Sequence, residues 1–317
     1  MAKSKILNAT EEAALEIVKT TIHQNIQNAN PLNILQVACD NFKFAFERAI
    51  QIAGARGKQS LTTSSKHINL FHEVVKSELI RNGVKPELVF PPQYNSSGEI
   101  NFTGFIKAKK QDICAVPTAF IGKEIPEIIS VGMMTGKTDG FGKDYTENSL
   151  VINIRSQMSS IGKNNDTIVE RAFAETLNLH KRCPKMVLGE FFILPTTGFN
   201  MDEVKKKNPV FELIITTKAN RRSKTTAESI EKSINTYASI NSRDITKGEE
   251  YKYERLCLIL ADFSQTPVRI YKNDADLNAD NLLPAGSSAT LNGLGYDYFI
   301  SDLMAIYSTR FGTGKFS

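Results

Sequence analysis

The sequence predicts an α/β (α+β) fold, in which a mixed central sheet is flanked by helices and preceded by a helical N-terminal region. Three observations lead there. Residues 1–85 carry apolar positions at helical spacing; residues 86–275 alternate strand-like apolar runs with helical segments; and LCLILADF (256–263) is apolar enough to be a strand buried on both faces. With 317 residues and 41% hydrophobic content, the chain can bury a large core. No Gly/Ser/Pro linker divides it, so residues 1–85 are expected to pack on a core spanning 86–317.

The elements follow in order. TEEAALEIVKTTIHQNIQNA (10–29) predicts an amphipathic helix with early glutamates and Thr10 as cap. Further helices are expected at 33–54 and 64–82, the latter stopped by Asn82-Gly83. EINFTGFIKAKKQDICAVP (99–117) reads as two short strands around a Lys-rich turn, and an irregular insertion (118–148) follows. Strand 149–155 leads to a helix at 167–181 opened by a Thr167–Glu170 capping box. Strands at 186–194 and 210–217, a helix at 225–240 with a Thr225–Glu228 box, the 256–263 strand, a PVRIY strand and a helix near 294–310 complete the chain.

The opening residues lack the basic start, apolar stretch and cleavage site of a secretory signal, and no run approaches the roughly 18 apolar residues of a membrane span. A cytoplasmic protein is expected. Cys39, Cys114, Cys183 and Cys257 lie far apart with no CxxC, which predicts buried free thiols and neither a zinc site nor a disulfide framework. The formal charge of +5 is uneven: residues 205–224 hold seven Lys/Arg against one Glu, leaving about −1 elsewhere. Such a patch suits a polyanion, although a solvated loop would carry the same charges.

GMMTGKT (132–138) has the glycines, lysine and threonine of a phosphate-binding loop, but with three residues between its glycines and a turn-like segment after it. No GxSxG or Cys–His context supports covalent catalysis. Carboxylates are more informative, because metal-dependent phosphodiester hydrolysis needs two or three of them converging on Mg²⁺ with a cation nearby. Asp112 follows Lys107, Lys109 and Lys110, which would set a cation beside a metal-bound phosphate. Asp139 and Asp144 share a Gly-rich loop before a strand, and Glu170 and Glu175 lie on the helix after it. Surface salt bridges and turn chemistry account equally well for most of these acids.

Between that strand and helix, VINIRSQMSSIGKNNDTIVERAFAE (151–175) turns from apolar to polar. Alternation sends Val151, Asn153, Arg155 and Gln157 to one face, and Ser159, Ser160, Lys163, Asn164 and Asn165 follow. These side-chain types contact base edges and phosphates.

The runs GFIKAKKQDIC, INIRSQMSSIGKNNDT and YKYERLCLILADF, set in the order hairpin, Asp-containing loop, strand, capped helix, strand, resemble type II restriction endonucleases of the PD-(D/E)XK nuclease superfamily over about residues 95–275. The resemblance implies a restriction-endonuclease-like core, Mg²⁺ as cofactor, double-stranded DNA as substrate, a homodimer that cuts both strands, and a possible companion DNA methyltransferase. It also implies a strand acid and, on the next strand, an acid-x-Lys pair; Asn153-Ile154-Arg155 stands there instead. The expected catalytic residues are therefore Asp112, Asp144, Lys109, Lys110 and Glu175, the expected metal ligands Asp112, Asp139, Asp144 and Glu170, and the expected DNA contacts Arg155, Gln157, Ser159, Lys163, Asn164, Arg221 and Arg222. A non-catalytic sequence-specific DNA-binding protein using the same surface is the alternative, and a phosphate enzyme built on GMMTGKT a third.

Overall fold

The computed structural model describes residues 6–64, 67–157, 161–213, 216–218, 221–224 and 226–317; for 161–166, 168, 213, 216–218 and 221–224 it describes the backbone alone. The chain opens with three helices, α1 (Ala9–Gln27), α2 (Ile34–Thr63) and α3 (Asn69–Arg81). The cap of α1 is Asn8 and not Thr10. Asn8 Oδ1 accepts from the Glu11 amide at 2.9 Å while Glu11 Oε2 accepts from the Asn8 amide at 3.0 Å, a reciprocal pair that needs an acid three residues on. The expected end of the second helix at 54 is a kink. Gly54 has φ +56, a conformation that favours glycine, and helix resumes beyond it.

Short strands and an insertion follow: β1 (Val89–Phe90), the hairpin β2 (Asn101–Thr103) and β3 (Ala108–Lys110), β4 (Ile113–Ala115), a second hairpin β5 (Glu127–Ile128) and β6 (Thr138–Asp139), and α4 (Lys143–Asn148). Of the lysines expected in the first turn only Lys107 lies there; the turn is Gly104–Lys107, which places Lys109 and Lys110 on β3. Then come β7 (Leu150–Ser156), α5 (Ile161–His180) and β8 (Val187–Pro195). Helix α5 begins at Ile161, so Thr167 is no cap, and the polar residues expected to form a loop are its first turns. Packing of Ala172 and Leu179 farther along the helix outweighs the weak helix propensity of Gly and Asn in its first turns.

The remaining elements are β9 (Thr197–Phe199), α6 (Met201–Lys205), β10 (Phe211–Leu213), the ribbon β11 (Thr216–Lys218) and β12 (Arg221–Lys224), α7 (Thr226–Ser239), β13 (Arg255–Asp262), β14 (Arg269–Tyr271), α8 (Asp274–Ala279) and α9 (Phe299–Phe311). The strand expected at 210–217 stays out of the central sheet: β10 pairs with β9, and β11 with β12. Thr225 lies outside the described residues.

Six strands form the mixed central sheet in the order β1-β4-β7-β8-β13-β14. The β1-β4-β7 side is antiparallel, β7-β8-β13 is parallel, and β14 closes the edge antiparallel. Helices α5 and α7 carry the chain between the parallel strands, which are buried on both faces and hence read as apolar runs. On one face Ile152, Phe191 and Ile259 join Phe42, Phe46 and Phe71 of α2 and α3 and Leu303 of α9 in one core. On the other, Val151, Leu188, Phe192 and Leu258 pack with Leu179 of α5 and Ile234 of α7. The N-terminal helices thus share a core with the sheet. All four cysteines are buried and free, and no helix among the described residues is long and apolar enough to cross a membrane.

One buried carboxylate binds several elements together. Glu254, fully buried just before β13, accepts from Arg310 of α9 (2.7 Å), from Arg243 (3.1 Å) and from the Leu188 amide of β8 (2.8 Å), with His180 Nε2 of α5 at 3.4 Å. Burial would raise its pKa; His180 and the two arginines outweigh burial and hold it at about 2, against an ordinary 4.5. Glu254→Gln, which strands two arginines, is expected to cost about 3–5 kcal/mol at neutral pH. Because the folded pKa is depressed, the wild type's advantage is complete above about pH 4.5 and shrinks as pH falls through about 2, which paired denaturant titrations across that window measure.

Candidate functional site

A strand buried on both faces has no room for an unpaired charge, yet β8 carries Glu190 in the middle of MVLGEFFIL, 1% exposed. The parallel register sets it beside Asn153 of β7, itself 2% exposed. Two residues along β7, Arg155 lies on the same face, and its Nε donates to Glu190 Oε1. Its Nη2 donates to Glu175 Oε2, brought over the sheet by α5. The other Glu175 oxygen meets Lys109 Nζ of β3 at 2.6 Å. Asp112, between β3 and β4, turns its Oδ2 onto the Ile154 amide of β7 at 2.8 Å. A chain of alternating charge, Lys109–Glu175–Arg155–Glu190, thus runs from the β2–β3 hairpin into the sheet, with Asp112 beside it.

The cluster has one more acid than base, and it is short of water. Burial pushes the Asp112 carboxyl upward, opposed by the Ile154 amide and Lys109. Burial also raises Glu190, with Arg155 as the main opposing charge. The Tyr253 and Tyr237 hydroxyls beside Glu190 are pushed up by burial and next by the Glu190 charge, so both stay neutral. Asn153 Oδ1 is buried without a hydrogen-bond partner among the described residues, whereas Glu190 has the Tyr253 hydroxyl beside it. Three carboxylates and an orphaned amide oxygen are the hard donors that Mg²⁺ takes, so the donor chemistry fits that ion. Their present arrangement is closed by Arg155, and no three acidic, His or Cys side chains among the described residues draw together as a metal-holding group.

Of the residues expected from sequence, Asp112, Lys109, Glu175 and Arg155 meet here. Lys110, next along β3, points outward to Glu99 at 3.6 Å. Asp139 is buried elsewhere, its Oδ2 2.6 Å from Arg182 Nη1. That pairing commits it as a structural counter-ion. Asp144 is exposed in the first turn of α4, before β7 begins. Glu170 is exposed on α5, and five residues of helix turn it about 140° from Glu175. Gln157 is buried just past β7, its amide donating to Ile193 O at 3.1 Å. Ser159 and the side chains of Lys163, Asn164, Arg221 and Arg222 lie outside the described residues.

The basic patch is partly spoken for, since Lys205 pairs with Asp202 (2.8 Å), Lys206 with Glu203 (2.7 Å), and Lys207 donates to Ile52 O (2.8 Å). GMMTGKT is a hairpin loop leading into β6 and not into a helix, with Thr135 Oγ1 donating to Gly132 O at 2.6 Å. Glu190, Tyr237 and Tyr253 are not among the residues expected from sequence. A lone acid inside an apolar strand was the signal for Glu190; the tyrosines had none.

Removing Arg155 leaves Glu190 buried without its counter-charge. Arg155→Met is expected to lower stability by roughly 3–5 kcal/mol at pH 8 and by less at pH 5. The sign follows from a carboxyl whose folded pKa is raised: protonation stabilises the variant as pH falls. Thermal melts of wild type and variant at the two pH values check it.

The chain matches no protein-family model, no curated protein and no solved structure.

Proposed function

We propose that the chain is a Mg²⁺-dependent deoxyribonuclease of the type II restriction class, cutting double-stranded DNA from a restriction-endonuclease-like core. One observation carries the reading: Glu190 stands in register beside Asn153, so the neighbouring strand supplies the carboxylate that Asn153-Ile154-Arg155 lacks, on the same face as Asp112. Asp112, Glu175 and Glu190 would hold the ion. When bound, Mg²⁺ would stabilise the charge that develops at the scissile phosphate. Lys109, fixed by Glu175, would set an ammonium group against that phosphate, and Arg155 keeps the three acids from repelling one another. A cytoplasmic homodimer cutting both strands, with a companion DNA methyltransferase, completes the reading.

A second reading, a non-catalytic sequence-specific DNA-binding protein, is favoured by the hold of Arg155 on both Glu175 and Glu190. Incubation with long duplex DNA separates the two. The nuclease is expected to yield discrete fragments with Mg²⁺ that vanish with chelator, and Asp112→Asn and Glu190→Gln to slow cutting by about a hundredfold or more while retaining binding. A mobility shift without cleavage at any divalent ion would establish the binder instead. Neither shift nor fragments would overturn both.

A further inference from the structure

The inserted hairpin and the turn beside the site form a ledge that combines exposed apolar side chains with lysines that pair with no acid among the described residues, and we propose that it docks on double-stranded DNA, Met133 entering a groove while lysines on either side meet phosphates. The inference rests on the reading of the chain as a DNA-handling protein and adds the surface that grips the duplex.

Met133 (73% exposed), Ile125 (73%) and Ile128 (65%) stand out in solvent, with Ile106 and Val131 beside them. The ledge is held fast. Gly132 has φ +77, and a Cβ there would lie 2.4 Å from Phe105 O, so only glycine lets the loop close on the β2–β3 turn. The Met133 amide then donates to Phe105 O at 2.8 Å. The turn is in turn fixed to α5, for Asn178 Oδ1 accepts from the Ile106 and Lys107 amides at 2.7 and 3.0 Å, and Asn178 Nδ2 donates to Lys107 O at 3.0 Å. Asn178 lies three residues beyond Glu175, so ledge and candidate site ride on one helix.

Charge selects the partner. Buried Arg182 takes up two of the ledge's acids, Glu127 and Asp139. Lys107, Lys123 and Lys137 are exposed and make no ion pair among the described residues, with Glu124 as the exposed acid between them. In a two-fold interface with a second copy the same lysines would oppose one another. A duplex answers both features, its phosphates taking the ammonium groups and a base step accepting an apolar wedge that kinks it.

Binding of a 30-base-pair duplex carrying a dye at each end, followed by anisotropy and energy transfer over a salt series, tests this. Wild type is expected to bind and to shorten the end-to-end distance. Lys123→Ala/Lys137→Ala should reduce the slope of log affinity against log salt by about two, at roughly 0.9 per lost phosphate contact. Met133→Ala should keep the slope and lose the bend. Unchanged slope and bend in variants that still bind would overturn the ledge and leave the nuclease reading standing, whereas a wild type that binds no duplex removes both. Conversion of a sedimenting dimer to monomer by Met133→Asp would assign the ledge to a second copy and overturn the proposal.

Discussion

The buried carboxylate of Glu254 is the constraint on which the architecture depends. A charge with no access to water must be met from several directions, and here it is met from α5, β8, α9 and the segment before β13. Each partner contributes a donor aimed at one residue, so elements far apart in sequence are fixed in angle as well as distance. Hydrophobic packing alone tolerates sliding; a carboxylate with two arginines and an amide does not. The contact with His180 has the widest reach, because it sets the end of the helix from which the candidate site hangs.

That helix distributes the polar contacts of the whole face. Within eight residues of chain, Glu175 reaches Arg155 and Lys109, Asn178 closes the β2–β3 turn, His180 meets Glu254, and Arg182 takes Asp139, Glu127 and the Thr103 carbonyl. Gly104 shows how close the fit is: a Cβ there would fall 2.4 Å from Asn178 O. The insertion 118–148, irregular in sequence, is therefore no loose loop: Arg182, just past α5, takes its Glu127 and Asp139, and its Met133 amide closes on the β2–β3 turn.

Elements set by local pattern were legible in the sequence. The α1 periodicity, the stop at Asn82-Gly83 and the apolar run of β13 depend on spacing and on single residues, and each lies within a few positions of its expected place. Boundaries set by tertiary contact were not: nothing in IGKNND announces that α5 starts at Ile161, and Gly54 reads as an end until Val204 O is known to lie 3.0 Å from where its Cβ would be. The site divides the same way. Asp112, Lys109, Glu175 and Arg155 were found from residue type and local order, whereas the register that sets Glu190 beside Asn153, and the arginine that removes Asp139, are properties of pairing between strands and helices distant in sequence.

The position of Arg155 links the two readings of the site. A guanidinium on two carboxylates is favourable only while no stronger cation competes: Arg155 is the counter-charge of Glu190 and shares Glu175 with Lys109. On the nuclease reading, Asp112 and Glu190 would hold the divalent ion once Glu190 had left Arg155, and a DNA phosphate near the strand ends would offer Arg155 another anion. Substrate and ion would then help each other bind, because each weakens the hold of Arg155 on the acids. On the binding reading, Arg155 stays with its glutamates and the acids only hold it in place. The difference lies in a single exchange of partners, Glu190 and Glu175 giving up the guanidinium of Arg155.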